Sequence, residues 1–127
     1  MFTNQPVPNA TAKNSRSRTM IKSINTQEIM PKLVECAQEA GRRILEIYQS
    51  DECIKVTQKQ DRSPLTKADT ASNDYIVSCL QSLTPQIPIL SEESKQVPYN
   101  ERRDWQCFWL VDPLDGTKEF INRTNDF

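Results

Sequence analysis

Apolar residues between Thr26 and Gln49 fall at Ile29, Leu33, Cys36/Ala37, Ala40, Ile44 and Ile47/Tyr48. That spacing is the 3.6-residue period of an amphipathic helix, so one helix is predicted over 26–49. Pro31 suits only its first turn, where a missing N–H costs nothing. Gly41 predicts a close crossing by another helix. Ile54-Lys55-Val56-Thr57 alternates and predicts a short strand. Lys59 to Lys67 is polar and carries Ser63-Pro64, which predicts a loop. Ala68, Ser72, Tyr75/Ile76, Cys79/Leu80 and Leu83 then mark the inner side of a second helix over 67–83, with Thr66 as its cap. Ile87 to Leu90 reads as a strand, placed at a sheet edge or in irregular pairing by Pro88. Residues 95–105 read as a charged loop, and Phe108 to Val111 as a buried strand with Trp109 in the core. Trp105 is expected to cover a loop. A helix starts near Thr117, and a further strand is expected to begin at Asp126-Phe127. The order predicts an α/β (α+β) fold, with helices covering a small sheet.

Composition narrows the chemistry. The 127 residues suit one domain. Histidine is absent, which excludes Ser-His and Cys-His nucleophile systems and any His-containing zinc site. Proton transfer must fall to a carboxylate, Lys, Tyr, Cys or a metal-bound water. Residues 1–27 hold Lys13, Arg16, Arg18 and Lys22 and no acid, which leaves 12 basic against 17 acidic residues in the remainder. An acidic body disfavours nucleic acid as a partner and is compatible with a cluster of cation ligands. No apolar run approaches the ~18 residues of a membrane span. The first residues lack the apolar core of a secretory signal, so 1–22 are expected to form a disordered arm. Cys36, Cys53, Cys79 and Cys107 are widely spaced, and Cys36, Cys79 and Cys107, each in an apolar pattern, read as ordinary buried thiols of a reduced cytoplasmic protein.

The candidate chemistry lies at the ends of elements. Asp112-Pro113-Leu114-Asp115-Gly116-Thr117 follows the apolar run 107–111. Two carboxylates at a strand end suit a hard cation, and Gly-Thr at a helix start suits a phosphate. Pro113 fixes the turn that aims both acids and the Leu114 carbonyl. Gly116 lets a phosphate approach the backbone, and Thr117 offers a hydroxyl there. Ser91-Glu92-Glu93-Ser94 and Thr66-x-x-Asp69 add further acids. Taken singly, each motif has a plainer reading: an ordinary turn, a solvated loop, a capping box.

Taken together they do not. Ser63-Pro64-Leu65-Thr66-Lys67-Ala68-Asp69, then Leu90-Ser91-Glu92-Glu93-Ser94, then Trp109 to Ile121 through Asp-Pro-Leu-Asp-Gly-Thr, resemble in order and spacing the inositol monophosphatase superfamily. The Gly-Thr-Lys-Glu-Phe-Ile continuation is most similar to its 3'(2'),5'-bisphosphate nucleotidases of CysQ type. The resemblance spans roughly 22–127. It implies that 23–127 form the N-terminal part of a layered α/β/α/β/α sugar-phosphatase fold, two helices packed on a partial, largely antiparallel sheet. A further aspartate of the family's second metal site would lie beyond Phe127. Implied activity is magnesium-dependent hydrolysis of a phosphate ester, the bisphosphonucleotide adenosine 3',5'-bisphosphate. Inositol or sugar phosphatase action, or an inactive truncated chain, are the alternatives. Implied roles are Glu92, Asp112 and the Leu114 carbonyl on one Mg2+, Asp112 and Asp115 on a second, and Glu92 on a loosely held third. Gly116 and Thr117 would hold phosphate oxygens, with Glu92, Leu114 and Asp115 alongside, while Asp69 and Thr117 handle the attacking water. A cytoplasmic place is implied, with a peripheral seat on the cytoplasmic face of the inner membrane left open.

Overall fold

The computed structural model describes residues 24–50 and 63–127. The expected arm and the strand at 54–57 lie outside these. Helix α1, Thr26–Tyr48, forms as its periodicity predicts and buries Cys36, Ala40, Ile44 and Tyr48 on one stripe. Asn25 caps it by accepting from the Glu28 N–H at 3.4 Å. Pro31 stands inside the helix, deeper than the first turn expected for it. The carbonyl it leaves without a partner is that of Gln27, an exposed residue that water can reach. Gly41 makes no close crossing, since a Cβ there would meet nothing within 4 Å.

Helix α2, Ser63–Leu83, starts earlier than predicted. Ser63-Pro64 is its first turn rather than a loop, because a proline loses no hydrogen bond there. Thr66 is therefore inside the helix and is not its cap. Helix α2 packs along α1 and also touches both strands and the last helix.

Strand β1, Ile89–Ser91, pairs with β2, Trp109–Val111, in register Ile89↔Trp109, Leu90↔Leu110 and Ser91↔Val111. The pairing is parallel, which corrects the largely antiparallel sheet expected. The connection between the strands is long enough to cross back, as parallel pairing requires, and it carries the short helix α3, Tyr99–Arg102, where only a loop was expected. Pro88 lies just outside β1 and offers its carbonyl to the Trp109 N–H at 2.9 Å. The Trp109 ring is half-buried rather than core, with its indole N–H donating to Thr84 Oγ1 at 2.8 Å. Trp105 packs at a tilt against Phe108, with ring centroids 5.9 Å apart.

Helix α4, Thr117–Asn122, closes the described chain. Its Phe120 joins Ile44, Tyr48, Ala68 and Leu114 in one buried cluster, with Ile47, Leu65 and Phe127 packed against it. The strand expected at Asp126-Phe127 is not formed: Phe127 turns its ring onto Tyr48 (4.6 Å) and Phe120 (5.2 Å). Apolar burial takes that residue into the cluster of Tyr48 and Phe120. The cluster joins α1, the start of α2 and the Asp112–Thr117 turn, so it fixes where the acidic motifs stand.

Of the cysteines, Cys36 is buried, while Cys79 and Cys107 are only half-buried, and all three are free thiols. Burial, then a hydrogen bond with Cys79, pushes the Cys36 thiol up to about 12. Cys53 lies outside the described residues.

Candidate active site

Asp69 sits on the second turn of α2, one residue after the fully buried Ala68. Its carboxyl is pushed up from 3.8 to about 6, first by desolvation and then by the charges of Glu93, Asp112 and Glu92. These four acids come from three segments: α2, the turn after β1 and the end of β2. Parallel pairing puts the C-terminal ends of both strands on one side, so Glu92 and Asp112 emerge together. The bond from the Glu92 N–H to the Val111 carbonyl, 3.1 Å, carries the ladder into this turn.

The other predicted residues are placed differently. Leu114 has its side chain in the core cluster at 6% exposure. Asp115 is turned back: its Oδ1 accepts from the Gly116 N–H at 2.8 Å. It is not among the charges that raise Asp69. Thr117 is exposed at the start of α4. Gly116 has φ +71, and a Cβ on it would stand 3.0 Å from the Asp126 carbonyl oxygen and the Phe127 Cα. Gly116→Ala is therefore expected to lower stability by about 1–2 kcal/mol, from the left-handed backbone alone, as read by urea denaturation.

Three residues that hold the site were not singled out as such by sequence reasoning. Ser72, fully buried, donates its Oγ–H to the Pro113 carbonyl at 2.8 Å. Asn73 accepts from Ser91 Oγ at 2.6 Å through Oδ1 and donates to Ser94 Oγ at 3.4 Å through Nδ2. Ser91 Oγ in turn accepts the Glu93 N–H at 3.3 Å. The available signal was the pair of polar residues three and four positions after Asp69, on the core side of a helix. Every buried polar side-chain atom among the described residues has a partner.

The donors are carboxylate and carbonyl oxygens, the chemistry of a hard divalent cation. Like charges crowded around Asp69 are an arrangement that such a cation relieves. Among the described residues no three acids form a ready-made cluster around one point. Mg2+ does not need one, since it keeps several waters and takes one or two carboxylates. The residues present therefore fit a magnesium ion.

The raised Asp69 carboxyl has a stability consequence. The folded chain binds the Asp69 proton more tightly than the unfolded chain, so stability falls as pH rises from about 4 to about 6. Asp69→Asn removes that cost. It is expected to raise stability by about 1 kcal/mol at pH 7, after allowance for solvent screening, and by nothing at pH 3.5. Thermal melts across that range read the difference, and a gap that is the same at every pH would contradict it.

A sequence profile of the inositol monophosphatase family matches residues 25–127. The chain belongs to that family, one that includes phosphatases. Among its relatives, the 3'(2'),5'-bisphosphate nucleotidase CysQ of Aggregatibacter actinomycetemcomitans is 44% identical over 104 residues, covering 82% of this chain and 38% of that protein. CysQ of Escherichia coli strain K12, with the same full name, is 42% identical over 99 residues, covering 78% of this chain and 40% of that protein. The crystal structure of CysQ from Bacteroides thetaiotaomicron, described as a bacterial member of the inositol monophosphatase family, superposes with a TM-score of 0.70. It is 40% identical, with 84% of this chain and 37% of that one covered. The chain thus spans about two fifths of the length of the curated relatives it matches. No described helix is long and apolar enough to cross a membrane.

Proposed function

We propose that this chain carries the metal-facing part of a magnesium-dependent phosphomonoesterase. The proposed substrate is adenosine 3',5'-bisphosphate, cleaved to AMP and phosphate in sulfur assimilation. The observation that carries this reading is the parallel pairing of β1 and β2, which brings the Glu92 turn and the Asp112 turn to one end of the sheet, where Ser72 and Asn73 of the Asp69 helix bond both. The relatives' name, 3'(2'),5'-bisphosphate nucleotidase, supports a bisphosphonucleotide as the substrate class.

Glu92, Asp112 and the Leu114 carbonyl are assigned to one Mg2+, Asp112 and Asp115 to a second, and Glu92 to a third, looser one. Bound there, magnesium supplies positive charge for the phosphate oxygens and acidifies the attacking water. Asp69 takes the water's proton. Burial, the first cause of its raised carboxyl, makes it a stronger base than an ordinary exposed carboxylate. Thr117 orients that water and, with Gly116, Leu114, Asp115 and Glu92, lines the phosphate position. The Asp115 carboxylate must release the Gly116 N–H for that amide to meet a phosphate oxygen. The cytoplasm is the compartment proposed, and the peripheral membrane seat gains no support from the described residues.

A substrate comparison tests the reading. Phosphate release with Mg2+ is expected to be faster from adenosine 3',5'-bisphosphate than from inositol 1-phosphate. The reverse preference would make the chain part of an inositol or sugar phosphatase. A second reading, metal binding without turnover, is favoured by one observation: Asp115, assigned to the second metal position, is turned onto the Gly116 N–H. Magnesium binding with no phosphate release from any of these esters would establish it.

A further inference from the structure

We propose that Ser72 and Asn73 are positioning residues of this site, tying its two carboxylate-bearing turns to the helix that carries Asp69. The inference rests on the metal-facing reading above and adds to it the means by which the acids are held.

Asp69, Ser72 and Asn73 stand at i, i+3 and i+4 on α2, so they share one face of the helix. Ser72 is fully buried, and its hydroxyl bonds the carbonyl of Pro113, in the middle of the Asp112–Asp115 turn. Asn73 is 7% exposed and bonds Ser91 and Ser94, the two ends of the turn that bears Glu92 and Glu93. One helical face therefore grips both turns by hydrogen bonds that reach far along the chain.

The charges explain why such a grip is needed. Parallel pairing brings the Glu92–Glu93 turn and Asp112 to one end of the sheet, beside the α2 face that carries Asp69, and like charges placed together repel. Two turns carrying mutually repelling acids relax apart unless something uncharged holds them. Apolar packing could bury these positions, but it fixes neither the Pro113 carbonyl nor both ends of the Ser91–Ser94 turn in direction. Hydrogen bonds do. They keep the acids close before a cation arrives, which is how residues behind a metal ligand raise affinity.

Magnesium affinity of the 127-residue chain, measured by titration calorimetry without substrate, tests the role. Ser72→Ala and Asn73→Ala are each expected to weaken Mg2+ binding about tenfold or more. Asn73→Gln, which keeps the carboxamide's acceptor and donor, is expected to recover part of the loss. Thr84→Val is the control. Thr84 is as buried as these residues, just past the C-terminal end of α2, and bonds Leu80 and Trp109 rather than an acid-bearing turn. It is expected to lower Tm comparably and to leave Mg2+ affinity unchanged. If Asn73→Ala does not fold, Ser94→Ala at a half-buried position is the milder probe, with about threefold weaker binding expected. Unchanged affinity in Ser72→Ala and Asn73→Ala, or in Ser94→Ala, or equal weakening in Thr84→Val, overturns the positioning role. Absence of Mg2+ binding by the unaltered chain overturns the metal reading, and this role with it.

Discussion

Asp112→Asn is expected to cut magnesium-dependent phosphate release by at least about 100-fold while leaving Tm nearly unchanged. Asp112 is exposed at the end of β2, and asparagine matches its size, so folding has little to lose. What is lost is one carboxylate assigned to two metal positions. An amide neither carries the charge nor binds Mg2+ comparably. A loss of several kcal/mol in transition-state stabilisation corresponds to two or more factors of ten. Rates measured at saturating Mg2+, alongside a thermal melt, separate the two effects. Undiminished release by Asp112→Asn would remove Asp112 from the metal site.

Phe120→Ala is expected to lower stability by about 3–5 kcal/mol and Tm by at least about 10 °C. Phe120 is 2% exposed, and its ring meets Tyr48 at 5.1 Å and Phe127 at 5.2 Å. Removing it leaves a cavity bounded by two aromatic rings, and helical backbone on either side limits its collapse. The hole opens beside Leu114, so the Asp112–Asp115 turn loses its anchor as well. Against a total stability of about 5–15 kcal/mol, the loss is a large fraction. Phe120→Leu, which refills most of the volume, is expected to lose less than half as much. Calorimetric melts of the two variants check the ordering.

The sequence made α1 legible because its apolar period runs unbroken for many turns. The start of α2 was not legible, because Ser63-Pro64 is equally at home in a loop and in a first helical turn. Parallel pairing of β1 and β2 was hidden as well. Two strands this short carry no signal of direction, and the crossover between them holds only one turn of helix. The acidic motifs stood out because each is local: Asp69, Glu92, Asp112 and Asp115 lie in short runs with their own turn chemistry. Their support could not be read the same way. Ser72 meets Pro113, and Asn73 meets Ser91 and Ser94, only once the chain has folded. The turn of Asp115 onto its neighbour's N–H is a side-chain orientation that spacing does not determine.

The proposed function turns on a cation, and one titration tests that dependence most directly. Phosphate release from adenosine 3',5'-bisphosphate by the unaltered chain is to be followed as Mg2+ is raised from a chelated baseline. No release is expected at the baseline, and a saturable rise is expected as Mg2+ is added. Release that persists at full rate in chelator would contradict that dependence.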